Sequence, residues 1–279
     1  MLAGSQTSLD PRLTTLLRVI AECIMFNLAT LSPFSARTGQ SVLDWGSSFD
    51  RLFPADDSAT SPFLGGLQSI YQVMLRVNVR LHRTIQSKSD LSAPASNTRE
   101  HFDLWRQLNE LDNRIPQLYH DRDVKPKSIE LYKRKHKLAI LALRIQLCKI
   151  ARPLASPTDN DIRGYVSEAV NILRSLDIRE LGNLALRWPL TILACAAYDD
   201  KDFDLFTAKM QDMQSVVDPA NREKLSSAQT VMSLHKRKLS EPQTVLEADR
   251  NRDCNLPQRI DLLLEPWRLL PLESSLLRH

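Results

Sequence analysis

The chain has 279 residues, of which 43% are hydrophobic and 25% charged, with 7 glycines, 15 prolines and a formal net charge of +4. That composition supplies a sizeable core and excludes a disordered chain; the scarcity of glycine argues against a turn-rich β sandwich or a glycine-looped nucleotide fold. The mild positive charge permits acidic partners without marking a nucleic-acid binder.

Residues 1–10 read as a tail. Asp10 is a capping residue and Pro11 suits a first helical position, where its missing N–H costs little. Leu13, Leu16, Leu17, Ile20, Ile24 and Leu28 follow at helical spacing, and Ser32-Pro33 closes this helix. Residues 34–61 read as a long irregular loop pinned by Trp45, Phe49, Leu52 and Phe53. A second helix is expected from Ser61-Pro62 through Arg83, with Leu67, Ile70, Tyr71, Met74, Val77 and Leu81 on its apolar face. The polar, proline-containing stretch 87–97 predicts a mobile linker. A helix over 101–115 follows, with Leu104, Trp105, Leu108 and Leu111 on one face. Another is expected from Ser128 to Ile150, and its second half, LAILALRIQLCKI, is apolar nearly all round, the mark of a central buried helix.

After the breaker RPLASP come helical patterns over 159–176, 181–198, 202–217 and 222–238, then a tail with one further helix around IDLLLEPWRLL. Roughly eight to ten helices, no convincing strand and no internal repeat predict an all-α fold: a single irregular multi-helix domain over 11–279. No apolar stretch approaches the ~20 uninterrupted residues of a membrane span. The opening MLAGSQTSLDPRL lacks the pattern of a signal peptide, so a soluble chain without a membrane partner is expected.

Chemical motifs are sparse. Cys23, Cys148, Cys195 and Cys254 lie far apart with no CxxC pair, so no metal centre is expected, and the first three sit in apolar helical runs as reduced thiols. Histidines 82, 101, 120, 136 and 235 have no neighbour that completes a ligand pair. There is no GxSxG, no HExxH and no glycine-rich phosphate loop, and no cofactor or catalytic residue is assigned. The basic run 133–137, KRKHK, points all round a helix and reads as a solvated helix end; 236–238, KRK, is at most a short nuclear localisation patch. Two acidic groups, Asp199-Asp200-Asp202 and Asn160-Asp161-Gly164-Glu168, have the spacing of the magnesium motifs of helical terpene cyclases. Their order is reversed, however, position 203 is Phe and position 164 lacks a hydroxyl, and both groups also fit helix caps.

The segment 184–197, LALRWPLTILACAA, resembles the Trp-Pro-Leu signature of the helical region that follows the zinc cluster in many fungal transcription factors. Other segments match in the same order: Ser61 to Leu81, Ile129 to Leu147, Val166 to Leu176 and Val245 to Asp253. The resemblance implies an all-helical regulatory domain concerned with transcription control and sometimes with sensing a small hydrophobic molecule. Two positions depart from it. The six clustered cysteines of the family's DNA reader are absent from these 279 residues, and Asp249 stands where tryptophan is usual.

The expectation is therefore a regulatory domain without its own zinc-dependent DNA binding, located in the nucleus or cytoplasm. Its partners would be other transcription proteins or a small hydrophobic metabolite, in secondary-metabolite control, with a homodimer as a further option. Tyr71, Met74, Trp105, Trp188 and Cys195 are the candidate ligand-binding residues. An alternative makes the scaffold a metal-independent cyclase or isomerase acting on a hydrophobic metabolite, using His120, Asp121 and Asp123, or Asp199 and Asp200.

Overall fold

The computed structural model describes residues 10–31, 68–87, 96–115, 126–152, 155–181 and 186–219, with scattered helical positions between 222 and 236. Every regular element among them is helical, as the 3.6-residue periodicity predicts. Seven α-helices follow in order: α1 (Pro11–Leu31), α2 (Gln68–Ser87), α3 (Ser96–Arg114), α4 (Pro126–Ala151), α5 (Asn160–Arg174), α6 (Arg187–Ala196) and α7 (Asp200–Val216). A short 3-10 turn, Ile178–Leu181, precedes α6 and packs on α7. The expected loop 34–61, the centre of the expected linker and the tail beyond 236 lie outside the described residues.

α4 is the hub. It packs against α2, α3, α5 and α6, and from Leu138 to Leu143 only Ala139 is not fully buried. A helix apolar all round can satisfy every face only by having neighbours on every side, and α4 has them. Its start differs from the expectation. Because the helix opens at Pro126 rather than Ser128, the run 133–137 falls in its third turn instead of at a frayed end. Lys135 and His136 are 5% and 3% exposed, so the solvated-end reading of this run does not hold. Burial pulls the Lys135 ammonium down to about 8. Lys137 is tied to its neighbours: Nζ lies 2.7 Å from Asp112 Oδ2 on α3 and 3.1 Å from Glu168 on α5, and Arg144 reaches the same Asp112 oxygen at 2.9 Å. One carboxylate thus clamps α3 to two turns of α4.

α2 is buried on far more of its circumference than a single apolar face. Gln68, Gln72, Asn78, Arg80 and His82 are enclosed along with Ile70, Met74, Val77 and Leu81. Buried polar groups need partners, and several of these partners are the bonds between helices. Asn78 Nδ2 donates to the Ala29 carbonyl of α1 at 2.7 Å, Arg80 reaches Glu100 of α3 at 2.8 Å, and Arg76 donates to Gln107 at 2.9 Å.

α1 begins as its sequence dictates. Asp10 Oδ1 accepts from the Arg12 N–H at 2.8 Å, and the Asp10 carbonyl accepts from Thr14 N–H at 2.9 Å. Its orientation is less expected. The face that packs on α2 carries Glu22, Met25 and Ala29, each 0% exposed, whereas Leu13, Leu16, Leu17, Ile20 and Ile24 are 44–55% exposed. Glu22 can be enclosed because Arg18 Nε approaches it at 3.3 Å while Arg18 Nη2 donates to Gln68 of α2 at 3.4 Å. Residues 12–30 are also long and apolar enough, by length and composition, to cross a membrane, a property that a search for uninterrupted apolar runs does not register.

A candidate regulatory cleft at the end of the signature helix

The RWPL segment forms α6, and all ten of its residues are buried, Arg187 included. Pro189 is its third residue, within the first turn, where no intrahelical partner for a backbone N–H is required. Thr191 returns its hydroxyl to the Arg187 carbonyl at 2.8 Å, so its polar atom adds no cost inside the core. The helix stops when Ala197 turns extended (φ −69°, ψ 126°), its N–H donating to the Ala194 carbonyl at 3.1 Å. Two residues later Asp199 caps α7, its carboxylate accepting from the Lys201 N–H at 2.8 Å. Asp200 and Asp202 follow in the first turn, where negative charge complements the helix dipole.

This tight α6–α7 corner encloses a cleft of about 260 Å³. Ala194 and Ala197 contribute from the end of α6, Ser156 to Thr158 from the turn before α5, and Tyr198 and Phe203 from the corner itself. The rim is charged. Lys236 Nζ sits 3.2 Å from Asp200, 3.4 Å from Asp204 and 4.7 Å from the centre of the Phe203 ring. Its hydrogen bond to Asp200, above all, holds the ammonium above its ordinary range. Tyr198 stands 68% exposed at the edge. The lining thus combines small side chains, two aromatic rings and the Lys236–Asp200 ion pair.

The five sequence-predicted ligand residues lie elsewhere, and none lines this cleft. Tyr71 and Met74, 7% and 2% exposed, share a face of α2; the Tyr71 ring meets Phe26 of α1 edge-on at 5.2 Å, and burial raises its hydroxyl well above the ordinary range. Trp105 is half-buried in a separate aromatic group. Its indole N–H donates to His101 Nε2 at 2.7 Å, and its ring lies 6.4 Å from Tyr165, over which Arg144 sits at 5.8 Å. Trp188 and Cys195, two turns apart on α6, are both fully enclosed. Burial pushes the Cys195 thiol up to about 12, which leaves it a small hydrophobe rather than a nucleophile.

Over this helical frame the chain matches the fungal-specific transcription factor domain along residues 18–232, from the first helix to the last described turns. The protein belongs to that family. No curated protein and no solved structure matches the chain.

Within this transcription-factor domain the cyclase-like acids have other work. Asp199 is a helix cap and Asp200 pairs with Lys236. On α5, Asp161 pairs with Arg152 at 2.8 Å and Glu168 with Lys137 at 3.1 Å, while an added Cβ at Gly164 would meet nothing within 4 Å. Among the described residues no group of three or more His, Cys, Asp or Glu side chains could hold a metal ion. His120, Asp121 and Asp123 lie outside the described residues.

What sequence reasoning missed was the cleft itself. Pro157, Tyr198 and Phe203 are far apart or of mixed character in the chain, and Lys236 reads there only as part of a basic patch. One signal was available: an aromatic residue, Tyr198, placed between the last apolar turn of one helix and the acidic cap of the next.

Proposed function

We propose that this regulatory domain controls transcription by sensing a small, largely hydrophobic molecule at the α6–α7 corner and passing the change to another transcription protein. The observation that carries the reading is the open 260 Å³ cleft built on the end of the family's signature helix. A ligand can shift a conformational equilibrium only through contacts that differ between two states. Lys236 offers such contacts, because it bridges from the 222–236 region to the first turn of α7 across the cleft mouth. A ligand that competes for Asp200 or stacks on Phe203 changes that bridge.

The interior set of Tyr71, Met74, Trp105, Trp188 and Cys195 remains a second candidate location for the same ligand. The cleft is preferred because its volume is already open, whereas four of those five side chains are packed core. Action in the nucleus or cytoplasm, in control of secondary metabolism and without zinc-dependent DNA binding by this chain, completes the proposal.

The test is a fusion of the chain to a heterologous DNA-binding domain over a reporter gene in a fungal host. The fusion should change reporter output relative to the DNA-binding domain alone, in a way that depends on growth conditions. Thr158→Trp, which fills the cleft from its exposed rim, and Tyr198→Ala should remove the condition dependence while leaving helicity and protein level unchanged. A wild-type fusion with no effect in any condition sinks the regulatory reading. A condition-dependent effect that survives both variants sinks the cleft.

A further inference from the structure

Taking the α6–α7 cleft as the sensing site, we infer that its ligand is a small organic ammonium, whose nitrogen takes the place of Lys236 Nζ between Asp200, Asp204 and the Phe203 ring.

The protein already shows how the cleft mouth holds such a group. Lys236 Nζ has carboxylates at 3.2 Å (Asp200) and 3.4 Å (Asp204), and it lies 4.7 Å from the centre of the Phe203 ring. Two anions and the negative face of an aromatic ring, converging on one nitrogen, make a receptor for a cation that can donate hydrogen bonds. Asp200, Phe203 and Asp204 all lie on α7, at the i, i+3 and i+4 spacing that shares a helix face, so the helix sets their arrangement. Lys236 comes from a separate segment. It is a tethered occupant of the receptor, not a wall of it.

Charge selects against the other ligand classes. The acids lining the cleft are Asp199 and Asp200, Asp204 stands at the same rim, and the lining base is Lys236. Once a ligand displaces that base, three carboxylates remain at the mouth. A helix N-terminus ordinarily suits an anion, but at α7 the protein's own acids fill that place. Asp199 accepts from the Lys201 N–H at 2.8 Å, and Asp200 and Asp202 follow in the first turn. An anionic ligand would be repelled by these groups, and a neutral one would gain nothing from their charge. A cation is attracted by all of them.

What gives a free ammonium the advantage over Lys236 is its apolar body. Asp200 is 82% and Asp204 70% exposed, so both ion pairs are weak, and exchanging one ammonium for another is close to neutral. The cleft of about 260 Å³ is bounded by Pro157, Ala194 and Ala197. A void of ~150 Å³ suffices for a benzene ring. An aromatic ring or short branched chain carried by the ammonium therefore fits, and gains by leaving water. Leu225, Ala228 and Met232 are seated in the core and anchor the rest of the segment, so displacement detaches only its end at Lys236 from α7.

The experiment is titration calorimetry of the full chain at neutral pH with 2-phenylethylammonium, against its neutral and anionic counterparts, 2-phenylethanol and phenylacetate. The ammonium should bind at least about tenfold more tightly than either. Asp200→Asn combined with Asp204→Asn should weaken it by about tenfold. Lys236→Ala decides the sign. Removing the tethered competitor should tighten the ammonium several-fold and leave 2-phenylethanol unchanged. A lysine that anchored an acidic ligand would give the reverse, with phenylacetate bound by wild type and lost in the variant. Far-UV circular dichroism should match wild type in both variants, because the substituted side chains lie at the rim. Four results overturn the inference: no binding of the ammonium by wild type or Lys236→Ala, equal or tighter binding of a counterpart, indifference to the aspartate pair, or weaker binding in Lys236→Ala. The sensing site itself stands or falls separately, on the reporter assay with Thr158→Trp. Loss of condition dependence there, alongside any of those four results, leaves the cleft with a ligand of another class, whereas its persistence removes the site.

Discussion

α1 and α6 are the two most apolar helices described, and the protein treats them in opposite ways. Every residue of α6 is buried, down to Arg187 and Thr191, because α4, α5 and α7 surround it. α1 is twice as long and buries a narrow face against α2, leaving five large aliphatic side chains about half exposed. Hydrophobicity therefore sets the tendency of a segment to leave water, while the number of neighbouring elements decides whether it can. The two helices also divide the roles: α6 carries the core and ends at the cleft, and α1 presents a surface.

The difference can be broken most directly at Trp188. Trp188→Ala empties a fully enclosed indole site, and a loss of about 3–5 kcal/mol of unfolding free energy is expected by denaturant titration. An effect under about 1 kcal/mol would show that α6 is not held as described.

Lys135 tests the hub on which α6 packs. Its folded-state value near 8 lies below the ordinary 10.5, so between those values the unfolded chain binds more protons and stability rises with pH. The destabilising effect is complete below pH 8 and disappears as pH climbs toward 10.5. Lys135→Met should raise stability at pH 7 by on the order of 2 kcal/mol. It should also flatten the slope of the wild-type stability curve between pH 8 and 10.5. Urea titrations at pH 7, 8.5 and 10 separate these outcomes, and parallel curves for the two proteins would contradict the burial of this ammonium.

Asp112 is the next smaller effect. It is 14% exposed and holds both Lys137 and Arg144, so Asp112→Ala leaves two partly buried cations without their shared anion. A loss of about 1–3 kcal/mol follows, and it should shrink little in high salt because the pair is partly shielded from solvent.

The smallest change belongs to the exposed stripe. Ile20→Ala should alter the stability of the monomer by no more than about 0.5 kcal/mol, the ordinary range for a surface site. A large loss measured under monomeric conditions would mean that the stripe is covered within the chain, and the contrast between α1 and α6 would fall.

Much of the site's surroundings was legible from local rules. Asp10-Pro11 marked the start of α1 and the acids from Asp199 fitted the cap of α7, since capping preferences act within a few residues. The pattern over 181–198 did not show that α6 opens only at Arg187, with Pro189 in its first turn. The LAILALRIQLCKI run marked α4 as central. The fate of KRKHK was not legible, because two residues of helix boundary and the neighbours of its third turn decided that Lys135 and His136 are enclosed. Nor was the cleft legible, since Ser156–Thr158, the α6–α7 corner and Lys236 meet only through the packing of three separate segments.

By itself, then, the sequence determined the all-helical class, the capped start of the first helix at Asp10, the helix destined for the centre and the fungal transcription-factor family. These depend on periodicity, on end preferences and on the order of short motifs along one chain. Tertiary structure alone decided which face of α1 turns outward, how polar residues of α2 came to be enclosed, and where an open volume remains beside Tyr198. Those outcomes depend on which elements are neighbours in space, and a hydrophobic stripe carries no record of whether a partner will arrive to cover it.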